Sequence, residues 1–164
     1  MCRSSRSPLD ILATTFCLLA DGPQPLALEG RTVGLRADTD TEAIGLLDLR
    51  AMLFHPATSV SVQRAVLVEL VRRARRHRGA WVVGLVGVLL PGLPQPAAST
   101  AAREGSTDLD ATMLAGLLEQ LDAKGVPSEE VAERLLWTVV RAPAGPASHG
   151  HAQARLAVVP GNAQ

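Results

Sequence analysis

Residues 61–90 read SVQRAVLVELVRRARRHRGAWVVGLVGVLL, and this stretch decides the fold of the chain. In its first half the apolar residues recur every three or four positions, which is the spacing of one buried helix face. A serine N-cap at Ser59 or Ser61 and a terminating Gly79 predict a helix over 60–78. Five arginines fall in the last two turns of that helix.

The second half of the stretch is apolar on all sides, which indicates a central, buried helix over 80–90. It ends at Pro91 and is too short to span a bilayer. Helical periodicity continues before and after it, with proline, glycine and capping residues between the segments. The predicted helices of the bundle cover 42–54, 60–78, 80–90, 108–123 and 129–142, and residues 9–20 are a candidate for a further short helix ahead of it.

Two connecting regions carry weaker patterns. Residues 25–35 contain two short apolar runs around Glu29-Gly30 and predict a small β-ribbon. Residues 91–107 lack periodicity and predict a long loop, after which Thr107 with Asp110 resembles a capping box. The expected fold is an all-α bundle of four to five helices with a short ribbon and disordered termini. The expected organisation is an N-terminal segment (1–40), a helical domain (41–142) and a tail (143–164).

The composition is typical of a helical domain. Of 164 residues, 47% are hydrophobic but only 2% are aromatic, so leucine, valine and alanine must form the core. Fifteen arginines stand against one lysine, a bias typical of a GC-rich genome of the actinobacterial type. The short apolar run over 11–20 raises secretion as an alternative, but Cys2 and Cys17 alone cannot form a disulfide framework. We therefore expect a cytoplasmic protein that is not embedded in a membrane.

Charge is distributed unevenly although the formal net charge is zero. Residues 60–90 hold six arginines against Glu69, a balance of +5, whereas residues 104–133 hold eight acids against Lys124, a balance of −7. The two segments are expected to pair with each other inside the bundle. The alternative is that they present opposite charge to partners.

Catalytic and cofactor-binding signatures are absent from the sequence. No nucleophile has a base and an orienting group in a recognisable local pattern, and no phosphate-binding loop or dinucleotide fingerprint occurs. His55 precedes a proline at a predicted helix end, and His149 with His151 lies in a Gly/Pro-rich tail. We therefore expect no enzyme activity, no cofactor and no metal.

The arginine cluster is the candidate binding site, and it comprises Arg72, Arg73, Arg75, Arg76 and Arg78. Three interpretations are open: a solvated helix end paired with carboxylates, a surface for an acidic protein partner, or contacts to nucleic acid phosphates. Nucleic-acid binders usually add aromatic or polar base readers, and none interleaves with this run.

The order of elements resembles region 2 of bacterial sigma-70-type transcription factors over about residues 42–142. The resemblance rests on three stretches: LVRRARRHRGAWVVGLVGVLLPGL (70–93), TDLDATMLAGLLEQLDAKG (107–125) and RLLWTVVRA (134–142). It implies a helical transcription-associated module that binds RNA polymerase, with Asp108 and Leu109 at the polymerase-contacting helix and Trp137 as the remaining promoter-melting aromatic.

Several positions depart from that family. Ala111 and Thr112 stand where a glutamine and a glutamate are usual, and Ala142 replaces a frequent asparagine. No downstream helix-turn-helix pattern follows. The resemblance therefore implies a regulatory or interaction module, and a purely structural helical adaptor for another protein is the alternative. The residues expected to bind a polyanion or partner are Arg72, Arg73, Arg75, Arg76 and Asp108.

Overall fold

A computed structural model describes residues 7–34, 43–93 and 103–141. The six α-helices of these residues are α1 (Pro8–Asp21), α2 (Leu46–Phe54), α3 (Val60–His77), α4 (Ala80–Leu89), α5 (Arg103–Asp122) and α6 (Ser128–Leu135). A two-stranded antiparallel sheet joins β1 (Ala27–Glu29) and β2 (Ala43–Gly45). The predicted all-α fold with a short ribbon is confirmed. The predictions for 1–6 and for 142–164 lie outside the described residues.

Helix α3 lies at the centre of the bundle and packs against both α4 and α6. The predicted apolar stripe on α3 is buried at Val66, Leu67, Leu70, Val71 and Ala74. Helix α4 is buried from Gly84 to Leu89, as its uniformly apolar sequence predicted. These two helices therefore supply the middle of the hydrophobic core, and the other elements cover them.

The N-terminal elements contribute to the same core. Helix α1 begins with a capping box in which Ser7 accepts from backbone amides and Asp10 accepts from the Ser7 amide. Phe16 of α1 and Leu28 of β1 are fully buried in the hydrophobic cluster that contains α3 and α4. Burying such side chains is the main force that holds an isolated ribbon and helix against a bundle.

The ribbon differs from the prediction in its second strand. β1 lies within the predicted span, but it pairs with β2 in the register Ala27↔Gly45, Leu28↔Ile44 and Glu29↔Ala43. Residues Gly30–Val33 form a 3₁₀ turn instead of a hairpin strand. Consequently the helix predicted over 42–54 begins only at Leu46. Burial of Leu28 favours this register, because a shift by one residue would expose its side chain. Each strand has only three residues, so the alternation of apolar and polar residues is too short to predict the pairing.

Helix α5 differs from the prediction at its start and in its burial. It begins at Arg103, so the predicted loop over 91–107 is wrong for its last five residues, and Thr107 lies inside the helix rather than capping it. The leucine spacing of this helix predicts an inner face that comprises Leu109, Met113, Leu114, Leu117, Leu118 and Leu121. Of these, Leu121 is buried, whereas Leu118 is 41% exposed. Residues 94–102 and the side chain of Leu109 lie outside the described part of the chain.

The last helix is modified near its end. The predicted helix over 129–142 starts one residue early, at Ser128, and changes at Leu136 to a π-helical turn that ends at Val140. Gly92 makes room for this turn, because a β-carbon there would overlap the carbonyl oxygen of Val139. None of the helices in the described ranges combines the length and apolarity needed to cross a bilayer.

Candidate interaction surface

The arginines at the C-terminal end of α3 point to different neighbours. Successive residues on an α-helix are separated by about 100°, so a run of five arginines cannot share one face. Helices α4, α5 and α6 all lie near this end of α3. The arginines that form contacts therefore reach more than one element of the bundle.

Arg75 caps the C-terminal end of α5. Its Nε donates to the carbonyl oxygen of Leu121 at 2.8 Å, and its Nη1 donates to the carbonyl oxygen of Val126 at 2.6 Å. A further contact reaches the carbonyl oxygen of Ala123 at 3.4 Å. The last carbonyls of a helix lack intrahelical partners and carry partial negative charge, so the guanidinium neutralises them. This arginine, which the sequence suggested for polyanion binding, lies half-buried within the protein.

Arg72 and Arg78 form ion pairs with the acidic segment. Arg72 pairs with Glu129 at the start of α6, and Arg78 pairs with Asp122 at the end of α5. The pKa of Glu129 is lowered, first by its bond to a backbone amide at the helix start and then by Arg72. The predicted pairing of the basic and acidic segments is thus confirmed. Exposed pairs such as these contribute little stability individually.

Arg73 is held between α3 and α4. Its Nε lies 2.9 Å from Oε1 of Glu69, one turn earlier in α3, and its guanidinium lies 5.3 Å from the centre of the Trp81 ring. Glu69 and Arg73 are both partly buried. A cation stacked on an indole and paired with a carboxylate is held in one orientation. It is less available to a partner than a free surface arginine.

Arg76 and Asp108 are both exposed. Neither forms an ion pair with another described residue. The structure does not bring them together: Asp108 precedes Leu121, where Arg75 binds α5, by 13 residues, or about 20 Å along the helix. The five predicted site residues therefore do not form one site, and binding by Arg76 or Asp108 stays a prediction.

A second charged cluster, which sequence analysis missed, joins α3 to the π-helical turn. Nη2 of Arg64 donates to Oε1 of Glu133 at 2.9 Å, and Nε of Arg64 lies 2.6 Å from Oε2 of the same carboxylate. The indole Nε1 of Trp137 donates to Oε1 of Glu133 at 2.7 Å. Arg141 lies 5.9 Å from the centre of the Trp137 ring. These contacts lower the pKa of Glu133, with Arg64 as the largest cause and Trp137 the next. The spacing of Glu133, Trp137 and Arg141 was readable from the sequence, but the contact with Arg64 was not.

Arg50 is a further half-buried cation. Its guanidinium stacks on Phe16 at 4.1 Å from the ring centre, and its Nη2 donates to the carbonyl oxygen of Gly87 at 2.6 Å. The α-helical partner of that carbonyl would be the amide of residue 91, which is a proline and has no N–H. Burial is the main cause that lowers the pKa of Arg50. This arginine therefore supports the packing of α1, α2 and α4.

Asp110 is a buried carboxylate, only 2% exposed. Its Oδ2 accepts a hydrogen bond of 2.7 Å from the hydroxyl of Ser7, the N-cap of α1. Its Oδ1 has no hydrogen-bond partner among the described residues. The carboxylate thus lies at the positive end of α1, where a helix dipole favours negative charge. The predicted capping role for Asp110 at the start of α5 is replaced by a contact between α5 and α1.

Comparison with known proteins finds no matching family model, no similar curated protein and no similar solved structure.

Proposed function

We propose that this chain is a small, non-enzymatic helical adaptor that acts in the cytoplasm by binding another protein. The observation that carries the proposal is the internal use of the arginine cluster. Arg72 and Arg73 are paired with the chain's own carboxylates, and Arg75 binds its own backbone carbonyls. A surface for nucleic acid phosphates needs free cations, and these three are engaged within the bundle.

Exposed apolar side chains support a protein partner rather than a polyanion. Ile11, Leu18, Leu47, Leu118 and Trp137 are the large hydrophobic residues that stay exposed in the described ranges. Aromatic and aliphatic side chains supply most of the affinity in protein interfaces, and tryptophan is enriched among the residues that contribute most. Cys17 is a free, exposed thiol, which suits a reducing compartment.

The proposal is tested by pull-down from the native host at low and at high salt, with mass spectrometry of the eluted proteins. A partner bound through apolar contacts is expected to remain at high salt, because salt screens charge pairs and strengthens apolar burial. The recovered protein must then bind the purified chain directly. Recovery of nucleic acid alone, or of nothing at either salt concentration, would contradict the adaptor function.

A sigma-region-2-like role in transcription is the second candidate function. The exposure of Arg76 and Asp108 supports it, because these two predicted contact residues are free to meet a partner such as RNA polymerase. Arg76→Glu and Asp108→Lys should each reduce retention of polymerase without changing helicity. Arg76→Glu is a sharper variant than Arg73→Glu, which would place a glutamate beside Glu69 and destabilise α3.

A further inference from the structure

The outward face of α1 exposes two aliphatic side chains. The inward face buries Leu9 and Phe16, whereas Ile11 and Leu18 are 55% and 68% exposed on the opposite side. They lie seven residues apart, or two helical turns, with the exposed Thr14 between them. Leu18 is the most exposed large hydrophobic residue of the described ranges. Within the part of the chain that the structure describes, this stripe is left uncovered.

Acidic residues stand at both ends of the stripe. Asp10 lies in the first turn of α1, where a carboxylate is favourable, and it completes the capping box. Asp21 lies three residues after Leu18, in the last turn, where a carboxylate opposes the helix dipole. It forms no ion pair with any described residue. No contact among the described residues offsets this unfavourable position, whereas a basic partner would pair with Asp21.

We propose that the outward face of α1 binds an amphipathic helix of a partner protein, one with aliphatic side chains two turns apart and lysine or arginine beside them. Charge complementarity selects this occupant, because residues 8–21 contain two carboxylates and no basic side chain. The aliphatic pair would pack against Ile11 and Leu18, and a basic side chain would pair with Asp21. This inference rests on the proposed adaptor function and names its binding surface and partner class.

The full-length protein is tested with a labelled synthetic peptide of about 18 residues that repeats leucines at helical spacing with lysines beside them. Binding is measured by fluorescence anisotropy. The double substitution Ile11→Ser with Leu18→Ser should weaken binding about tenfold or more. Ala115→Ser, at an exposed position of α5 away from the α1 face, is the control and should leave binding unchanged. The same peptide with glutamate in place of lysine should not bind.

Asp21→Asn separates binding from stability. It removes a charge that opposes the dipole of α1, so the thermal midpoint should rise slightly while peptide binding weakens several-fold. A purely structural role for Asp21 would not produce these opposite changes. Unchanged peptide binding in Asp21→Asn, or equal binding by the lysine and glutamate peptides, would overturn the basic-partner assignment.

Two further results would overturn the inference. One is no peptide binding by the folded protein. The other is sedimentation showing a dimer that Leu18→Ser dissociates, since the face would then bind a second copy. If host proteins are recovered equally by the wild type and by the Ile11→Ser, Leu18→Ser protein, this surface assignment fails and the adaptor function stands. If neither recovers a direct partner, the adaptor function itself fails.

Discussion

The ring of Phe16 in α1 packs directly against Gly87 in α4, where a β-carbon would overlap the ring and lie 2.8 Å from the Cβ of Phe16. The same ring contacts the guanidinium of Arg50, which also binds the carbonyl oxygen of Gly87. The absence of a side chain at position 87 therefore sets how closely α1 approaches α4.

Gly87→Ala should destabilise the protein. The added methyl group must displace a buried aromatic ring, and overpacking of this kind typically costs about 1–3 kcal/mol. Gly116→Ala is the matched control, because it lies in α5 with no atom within 4 Å of the added β-carbon. It should stabilise the protein by about 0.5–1 kcal/mol through helix propensity alone. The free energies of unfolding of both variants are measured in urea. Changes of the same sign in the two variants would contradict this account.

Arg75→Ala should destabilise the protein by about 1–3 kcal/mol, because the partly buried carbonyls of Leu121 and Val126, at and just after the end of α5, lose a charged donor. Arg75→Lys should recover only part of this loss, since an ammonium group cannot reproduce the fork that reaches both Leu121 and Val126. Arg76→Ala changes an exposed neighbour, and its free energy of unfolding should stay within about 0.5 kcal/mol of the wild-type value. Equal free energies of unfolding for Arg75→Ala and Arg76→Ala would contradict the capping role of Arg75.

Stability should fall as the pH drops through the titration of Glu129 and Glu133. The folded protein lowers the pKa of both carboxyls, so their contribution is present above the unfolded-state pKa of about 4.3 and is lost as the pH falls through the folded value. Glu133→Gln should flatten the dependence of the thermal midpoint on pH below about 4.5. Glu29→Gln, at an exposed glutamate of β1 without an ion pair to a described residue, is the control. An unchanged profile in Glu133→Gln would contradict the assignment.

Ser7 and Asp110 should be energetically coupled. Ser7→Ala removes the N-cap of α1 and leaves the buried carboxylate of Asp110 without its partner, at a combined cost of about 1–3 kcal/mol. A double-mutant cycle with Asp110→Ala should give a coupling energy of at least about 0.5 kcal/mol. Additive losses would mean that the cap alone accounts for the effect of Ser7.

Local patterns predicted most of the helices, because helical periodicity and capping depend on residues that are close together in the sequence. Helix α3 was predicted over 60–78 and lies at Val60–His77, since its apolar stripe and its serine cap are both within a few turns. The start of α5 was missed because a Ser/Ala/Gly-containing segment has no apolar stripe, and helix formation there continues to Arg103 without one. The side chain at 118 was predicted to be buried because the pattern cannot show whether a neighbour covers it.

The candidate site was predicted by composition but not by geometry. The sequence left three interpretations of the five arginines open, including pairing with carboxylates. The helical rotation directs Arg72 to α6, Arg75 to the end of α5, and Arg73 to Glu69 and Trp81. The residues of α5 and α6 that contact Arg72 and Arg75 lie about 50 positions later in the chain. The expected pairing of the basic and acidic segments was correct, but only the packing of α3 against both helices could show which carboxylate or carbonyl each arginine meets.

The sequence by itself determined the helical class, the buried stripe of α3, the central position of α4, and the opposite charges of the two segments that pair. These properties depend on residue type and on spacing within a few turns. The tertiary structure alone decided the partner of β1, the contact of Asp110 with Ser7, and the exposure of Ile11, Leu18 and Asp21. The physical reason is that pairing and burial depend on contacts between segments that are far apart in the sequence. A local pattern of residue types carries no information about those contacts.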